Sequence, residues 1–212
     1  MPFITFEGID ASGKTTQIQL LCARLQALGL QVHRTFEAGS TPLGQEIRTL
    51  VQHKQNLRID PVAEMLLYAA DRAQHIAEVV QPLLASGYYV LSDRHVDSSI
   101  AFQGAYLPSA DIRMVNDIAV AGIRPEMTIL LDITVEESRQ RLRDRGVSLD
   151  RIEARPEAYQ EKVRQGYLHL AQQHPERIVV VGNNVGVDEA QDIIWAEVEK
   201  RFGAHIHGQQ SE

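Results

Sequence analysis

The chain has 212 residues, a length that fits one domain built around a single core. Its hydrophobic content of 44% and charged content of 23% are those of a folded globular protein and exclude a disordered chain. The net charge of −7 argues against a general nucleic-acid binder, and no apolar run approaches the roughly 20 residues of a membrane span. We therefore expect neither nucleic acid nor membrane as a partner.

Two further features of the composition bear on location and ligands. The chain does not start with a secretion signal, and its one cysteine, Cys22, lies in an apolar-periodic stretch, which predicts a packed core thiol and a cytoplasmic protein. Seventeen of the 21 basic residues are arginines. The guanidinium group suits phosphate oxygens, so this bias favours a protein that handles phosphorylated small molecules, although genomic composition alone could produce it.

Short apolar runs predict five β-strands, at 2–7, 31–36, 88–92, 127–131 and 177–181, of which the second is the weakest. Between them, Ile18, Leu21, Leu25 and Leu28 predict a helix that ends before Gly29. A long helical stretch opens at Pro61 and should kink or restart at Pro82. Further helical patterns cover 109–122, 134–145, 156–174 and 187–202.

Near-continuous apolar strands that alternate with helices indicate an α/β fold, with a parallel sheet covered by helices on both faces. No internal repeat or low-complexity linker divides the chain, so residues 1–202 are expected to form a single domain. Residues 203–212 are expected to be a frayed polar tail, with His205 and His207 solvated rather than bound to a metal.

The first predicted strand leads directly into the motif G-x-x-x-x-G-K-[ST], a phosphate-binding loop. Backbone N–H groups of such a loop and of the following helix face phosphate oxygens, Lys14 can reach the β- and γ-phosphates, and the Thr15 hydroxyl can ligate Mg²⁺. The motif therefore predicts ATP and Mg²⁺ as cofactors. The predicted nucleotide-binding residues are Gly8, Ile9, Asp10, Ala11, Ser12, Gly13, Lys14, Thr15 and Thr16.

Two later strands each end in an aspartate, where enzymes with this loop place the carboxylate that holds Mg²⁺ or its water. Asp93 is the favoured metal residue, together with Thr15, because Arg94 beside it gives a second reason to expect phosphates there. Asp132 is expected to be mainly structural. Either aspartate could instead cap the segment that follows it.

Five segments in chain order carry a family resemblance: Phe6-Glu7-Gly8-Ile9-Asp10; Glu37 to Arg48; Tyr68-Ala69-Ala70-Asp71-Arg72-Ala73-Gln74-His75; Asp93-Arg94-His95 with Asp97-Ser98-Ser99 and Ala101-Phe102-Gln103-Gly104; and Asp150-Arg151-Ile152-Glu153. In these segments, and in order from residue 3 to about residue 170, the chain resembles the bacterial thymidylate kinases, which transfer the γ-phosphoryl group of ATP to dTMP. The resemblance implies the fold of P-loop nucleoside monophosphate kinases, with a five-stranded parallel sheet and a short lid, and it implies a homodimer.

The resemblance also implies roles at the acceptor site. Tyr68 would stack on thymine and Arg72, one helical turn later, would donate to its O4 atom, while Ser99 and Gln103 would face the pyrimidine edge. Asp10 would contact the sugar 3′-hydroxyl, and Arg48 and Arg94 would bind the acceptor phosphate. With Glu37, the predicted substrate-binding residues are Asp10, Glu37, Arg48, Tyr68, Arg72, Arg94, Ser99 and Gln103.

Residues 139–155 contain six arginines and three carboxylates, which would ordinarily indicate an ion-paired helix face exposed to solvent. The resemblance instead implies a mobile lid that delivers arginine to the ATP phosphates. Arg151 is the first choice for that role, followed by Arg141 or Arg145. The predicted catalytic residues are accordingly Lys14, Arg94 and Arg151.

One segment departs from the family pattern. Family members commonly carry Arg-Glu-Pro-Gly-Gly-Thr where this chain has Phe36-Glu37-Ala38-Gly39-Ser40-Thr41, so an arginine expected near the acceptor phosphate is missing. The leading hypothesis is a kinase that converts dTMP to dTDP for dTTP synthesis. The alternatives are a kinase for another nucleotide or nucleoside, and a P-loop nucleotide-binding protein with weak transfer activity.

Overall fold

The computed structural model of the chain describes residues 1–54, 56–182 and 185–208. Its centre is a parallel sheet of five strands, namely β1 (Phe3–Glu7), β2 (Val32–Phe36), β3 (Tyr89–Asp93), β4 (Met127–Asp132) and β5 (Ile178–Gly182). Their order in the sheet is β2-β3-β1-β4-β5. All five predicted strands are thereby confirmed, and the apolar runs at the centre of the sheet are buried as a covered parallel sheet requires.

Nine helices accompany the sheet within the described ranges: α1 (Lys14–Ala27), α2 (Pro42–Arg48), α3 (Pro61–His75), α4 (Gln81–Ala85), α5 (Val96–Gln103), α6 (Ser109–Ala119), α7 (Val135–Asp144), α8 (Glu157–Gln173) and α9 (Val187–Gly208). A single π-helical turn extends α2 over Thr49–His53, and another extends α3 over Ile76–Val80. The expected restart at Pro82 is confirmed, because α4 begins beside this residue. Helices α2 and α5 are too short to have shown a clear periodicity.

Two apolar layers enclose the sheet. On one face, α1 and α9 bring Leu21, Leu25 and Trp195 against the sheet, and Cys22 is buried among them as expected. On the other face, α5 and α8 pack together over β4, with Val163 and Tyr167 in the core. No helix in the described part of the chain is both long and apolar enough to cross a membrane.

The predicted boundary of a frayed tail at residue 203 is wrong. Helix α9 continues to Gly208, and Ile206 is completely buried in the layer formed with α1. Because Phe202 and Ile206 are four residues apart, they lie on the same helix face. The apolar surface that they bury offsets the conformational entropy lost when the extra turn is ordered. His205 and His207 are exposed as expected, while 209–212 lie outside the described residues.

The topology brings the chemistry-bearing segments to one edge of the sheet. The phosphate-binding loop follows the carboxyl end of β1, and Asp93 ends the neighbouring β3, with Phe6 and Asp93 paired in register. Asp132 ends β4 on the other side of β1. Ligands of open α/β sheets bind beyond the carboxyl ends of the strands, so this edge is the place to look for the site.

Candidate active site

The phosphate-binding loop has the backbone that its glycines predict. Gly8 has a φ of 138°, and a Cβ there would lie 2.4 Å from the carbonyl oxygen of Leu131, so no other residue fits. Gly13, with a φ of 98°, caps the start of α1. Lys14 is buried, and its Nζ donates to the carbonyl oxygens of Gly8 at 3.2 Å and Ile9 at 3.0 Å. Burial, followed by the nearby Arg94, lowers the pKa of Lys14 to about 8.

The two residues predicted to hold a metal lie together at the mouth of this loop. The Thr15 hydroxyl donates to Oδ2 of Asp93 at 3.1 Å. Asp132, by contrast, accepts from both Nε and Nη2 of Arg164, at 2.7 and 2.9 Å. This bidentate pair ties the end of β4 to α8, the structural position expected of Asp132.

A large cavity, with about 1470 Å³ of empty space, opens over the loop. Its walls include Asp10 to Thr16 of the loop and, from other elements, Arg48, Asp93 and Arg145. Of the residues that depart from the family pattern, Phe36 lines this cavity, and so does Arg34, two residues earlier on β2. Arg48 donates from Nη1 to the carbonyl oxygen of Ala38 at 2.7 Å, and its guanidinium lies 5.7 Å from the centre of the Phe36 ring.

A second cavity, with about 510 Å³ of empty space, lies between α3 and α5. It brings together all four residues that the resemblance assigns to the pyrimidine, namely Tyr68, Arg72, Ser99 and Gln103. The two cavities share part of their walls. The shared residues are Asp10, Glu37, Gln52, Arg94 and Asp150.

Arg94 occupies the junction of the two cavities. Its Nη2 donates to Asp10 Oδ1 at 2.7 Å, and its Nη1 donates to the Gly8 carbonyl at 2.9 Å and to the Tyr167 hydroxyl at 3.1 Å. Arg94 has a φ of 72°, a left-handed conformation that is uncommon for a residue with a side chain. The surrounding carboxylates and the Tyr167 hydroxyl keep its pKa above the usual value although burial opposes this. Arg94 is therefore a fixed cation between the two cavities.

The buried carboxylate of Glu7 lies in the same hydrogen-bond network as Arg94. Glu7 is fully buried and accepts from the backbone N–H of His95 at 2.8 Å, the Ser98 hydroxyl at 2.6 Å and the Tyr167 hydroxyl at 2.9 Å. Burial, with Asp97 second, raises the pKa of Glu7 to about 7. Ser98 and Tyr167 thus bind both Glu7 and Arg94, which fixes the position of the guanidinium.

A second buried cluster holds Arg72. Glu37 Oε2 lies 2.8 Å from Arg72 Nη2, and Glu37 Oε1 lies 2.9 Å from Nδ1 of His75 and 2.8 Å from Nδ1 of His95. Burial disfavours ionisation of Glu37, but Arg72 and His95 outweigh it and hold its pKa well below the usual range. Burial lowers the pKa of His95. Arg72 is thereby held at the wall of the smaller cavity by an ionised carboxylate.

The arginine-rich segment places its three candidates differently. Arg145 lines the larger cavity over the phosphate-binding loop, which we call the phosphate cavity. Its Nη2 lies 2.8 Å from Oε2 of Glu153. Arg141 donates to the carbonyl oxygen of Ala11 in the loop at 3.1 Å. The structure does not bring Arg151 to the phosphate loop: its Nη2 lies 2.5 Å from Oε2 of Glu64, beside the smaller cavity.

Several residues of the site escaped the sequence reasoning. Tyr167 is about 160 residues from Glu7 in sequence, and nothing local connects the two. His75 lies in the third segment of the resemblance, one helical turn after Asp71, but no role was expected for it. Glu64 could have been found, because it precedes Tyr68 by four residues and so shares the helix face that lines the smaller cavity.

The chain is similar to known proteins over nearly its whole length. A family model described as thymidylate kinase matches residues 6–194. The chain belongs to the thymidylate kinase family. A thymidylate kinase of Exiguobacterium sibiricum is 46% identical over 198 residues, covering 92% of this chain and 93% of the relative. The thymidylate kinase of Nostoc sp. is 44% identical over 208 residues, covering 96% of each chain.

A solved structure agrees with the sequence relatives. The crystal structure of thymidylate kinase from Ehrlichia chaffeensis superposes with a TM-score of 0.74 at 28% identity, covering 93% of this chain and 98% of that one. The predicted fold of P-loop nucleoside monophosphate kinases is thereby confirmed. The thymidylate kinase family match spans all residues that line the two cavities, from Asp10 to Glu153.

Proposed function

We propose that this chain transfers the γ-phosphoryl group of ATP to dTMP, giving dTDP for dTTP synthesis. The observation that carries the proposal is the meeting of a phosphate-loop cavity and a smaller polar cavity at Arg94 and Asp10. Phosphoryl transfer depends on positioning and on positive charge around the moving group, and this junction offers both. The 46% identity to a named thymidylate kinase supports dTMP as the acceptor.

The larger cavity would bind ATP. Backbone N–H groups between Gly8 and Thr16 would face the phosphates at the start of α1, where the helix dipole also favours an anion. Lys14 would exchange its carbonyl partners for the β- and γ-phosphates, and the added negative charge would raise its pKa again. Arg145 would neutralise charge from the lid side, with Arg141 beside the loop.

The donor set at Thr15 and Asp93 fits Mg²⁺. A hydroxyl and a carboxylate oxygen 3.1 Å apart at the mouth of the loop are hard oxygen ligands, and Mg²⁺ commonly takes only one or two from the protein, with waters and phosphates completing its shell. When bound, the ion supplies positive charge to the phosphate oxygens. Because Asp93 is the last residue of β3, the strand would fix the position of this carboxylate.

The smaller cavity would bind dTMP. The Tyr68 ring would stack on the base, with Arg72, Ser99 and Gln103 at its polar edge. Asp10 would accept from the 3′-hydroxyl, and Arg48 and Arg94 would hold the phosphate. The acceptor phosphate is already anionic, so no general base is needed. The chain's task is to neutralise two anions and to align them, which Lys14, Arg94 and a lid arginine would do.

A homodimer is part of the proposal. Helices α3 and α6 pack side by side and present exposed apolar residues at i, i+4 spacing, namely Val62 and Leu66 on α3 and Met114 and Ile118 on α6. Ile118 is 79% exposed, an unusual position for so large an apolar side chain. A second copy of the chain would cover this surface.

The function is tested by measuring ADP release with Mg²⁺-ATP and a panel of acceptors: dTMP, dUMP, dAMP, dGMP and thymidine. We expect dTMP to be the fastest acceptor and the purine monophosphates to be poor ones, because Tyr68, Arg72, Ser99 and Gln103 in the smaller cavity are proposed to bind a pyrimidine. Lys14→Met, which removes the phosphate-loop cation, is the inactive control. Faster turnover of a purine monophosphate or of thymidine than of dTMP would favour the alternative kinases instead.

A further inference from the structure

Glu64 is a buried carboxylate on the wall of the smaller cavity, and its contacts join three segments of the chain, its own helix among them. It lies near the start of α3, and only 3% of its surface is exposed. Its Oε2 lies 2.5 Å from Nη2 of Arg151 and 2.5 Å from Nη2 of Arg155. Its Oε1 accepts from the side-chain amide of Gln103 at 3.5 Å. One carboxylate thus connects α3, the end of α5 and the segment between α7 and α8.

The segment from Arg145 to Pro156, which we call the lid segment, is attached to α3 through these contacts, while Ile152 packs in the core and Arg139 and Gln160 donate to carbonyl oxygens of the segment. Arg151 also donates from its backbone N–H to Gln52 at 3.0 Å and from Nε to the Val51 carbonyl at 2.7 Å. Within the segment, Asp150 Oδ1 accepts from the N–H groups of Ile152 and Glu153. These bonds form a compact turn, so holding Arg151 holds its neighbours as well.

The position of this attachment decides which ligand it affects. Glu64, Asp150 and Ile152 line the smaller cavity, where dTMP is proposed to bind. Arg151 and Arg155 are turned toward Glu64, while Arg145 at the other end of the segment lines the phosphate cavity. One end of the lid segment therefore lies at the phosphate cavity, and the part around Asp150 and Ile152 lies at the smaller cavity.

We infer that Glu64 is a positioning residue for phosphoryl transfer, and this inference rests on the proposed function. By binding Arg151 and Arg155, it closes the lid segment over the acceptor pocket. By accepting from the Gln103 amide nitrogen, it directs the Gln103 carbonyl oxygen toward the pocket, where an acceptor is needed for the N3–H of thymine. Arg151 accordingly acts on the acceptor through Glu64 rather than on the ATP phosphates.

Loss of the Glu64 charge would weaken acceptor binding more than ATP binding. Without the carboxylate, the two partly buried guanidinium groups of Arg151 and Arg155 would lack their anion, and the lid segment would lose its ion pairs to α3. The Gln103 amide would also be free to turn and present its N–H₂ group to the thymine N3–H, which is a donor. The phosphate loop makes no contact with Glu64 in the structure and would remain as it is.

The test is steady-state kinetics of Glu64→Gln, a substitution that preserves size. We expect the KM for dTMP to rise at least about tenfold while the KM for ATP stays within about twofold, since Glu64 lines the smaller cavity and not the larger one. Glu78→Gln, on the exposed surface of the turn after α3, is the matched control and should match the parent. Equal changes in both KM values, or none, would overturn the inference.

A second readout follows the lid segment itself. Trypsin cleaves after arginine unless proline follows, so dTMP should protect the lid segment from cleavage at Arg145 and Arg151 in the parent, as mass spectrometry of the fragments would show, but not in Glu64→Gln. Arg151→Gln should also raise the KM for dTMP, and combining it with Glu64→Gln should add little, because both variants break the same ion pair. Full additivity would contradict the assignment.

Two outcomes separate this inference from the proposed function. If Glu64→Gln fails to fold, Arg151→Gln and Arg155→Gln, whose side chains are partly exposed, test the same attachment, and an unchanged KM for dTMP in both would overturn it. If the parent chain turns over no dTMP, the proposed function fails. An active parent with unaltered dTMP binding in all these variants would refute only the role of Glu64.

Discussion

Phe36 stands in the phosphate cavity where relatives commonly have an arginine, and it illustrates how a single side chain changes a binding site. It is 43% exposed and lies in the cavity with Arg34 and Arg48. Arg34 and Phe36 are two residues apart on β2, so both side chains point to the same side of the strand. Arg34 is thus placed to supply part of the missing charge.

Phe36→Arg should lower the KM for dTMP, because a charge-assisted hydrogen bond to phosphate is worth about 1.5–3 kcal/mol, or roughly tenfold to a hundredfold in affinity. Arg34→Ala should raise this KM in the parent and raise it less in the Phe36→Arg background. Steady-state kinetics of the four proteins would show both effects. Weaker dTMP binding by a folded Phe36→Arg variant would mean that the cavity needs an apolar contact at this position.

Tyr167 shows how a residue remote in sequence can control a catalytic cation. Tyr167→Phe removes only the hydroxyl that binds both Arg94 and Glu7. We expect kcat to fall about fivefold to thirtyfold, corresponding to about 1–2 kcal/mol for the lost orientation of Arg94. The matched control is Tyr89→Phe, since the buried Tyr89 hydroxyl makes no hydrogen bond within the described part of the chain. Equal kcat values for both variants would exclude a positioning role for Tyr167.

Among the elements, α7 and its connection to α8 together carry six arginines, which are turned toward different partners. Arg145 lines the phosphate cavity, Arg143 contacts the Gln140 side chain on the exposed surface of α7, and Arg151 binds Glu64. The high density of positive charge in the sequence does not distinguish one of these arginines from another. Their directions in the fold assign the phosphate contact to Arg145.

Arg145→Ala should lower kcat on the order of a thousandfold, the lower end of what an arginine at a transferring phosphate supplies, with a smaller effect on the KM for dTMP. Arg143→Ala is the control and should remain close to the parent. Single-turnover measurement with saturating ATP would separate the chemical step from product release. A kcat loss confined to Arg141→Ala would move the role to that residue.

Helix α9 tests how far the core extends along the chain. Ile206→Ala removes a completely buried side chain and should lower the free energy of unfolding by about 2–5 kcal/mol, through lost transfer energy and a cavity. Val187→Ala, at the exposed start of the same helix, should change it by less than about 0.5 kcal/mol. Denaturant unfolding measures both. Equal stability of the two variants would mean that the last turn of α9 adds nothing to the core.

At the scale of the whole molecule, the faces of α3 and α6 predict self-association. Ile118→Glu places a charge in the centre of the exposed apolar surface and should convert a dimer into a monomer, as measured by light scattering coupled to size-exclusion chromatography. Gln165→Glu, on the exposed surface of α8, should leave the dimer intact. A parent chain that is monomeric at micromolar concentration would show that this surface serves another purpose.

The sequence alone determined the features whose signals are local. Strand and helix periods, the glycines of the phosphate loop and the aspartate after β3 depend on neighbours a few residues apart, and they predicted the sheet and one half of the site. The acceptor residues needed the family resemblance, because their helix spacing is equally compatible with ordinary core and surface positions. The order of strands then brought both sets to one edge of the sheet.

Only the tertiary structure decided which charges meet. Arg145 and Arg151 are six residues apart in the same arginine-rich segment, yet one lines the phosphate cavity and the other binds Glu64, 87 residues away. Ile206 belongs to the core because α1 offers it an apolar surface, which a polar-looking terminus does not reveal. Pairing between distant side chains depends on the packing of whole elements, and local patterns carry no information on that packing.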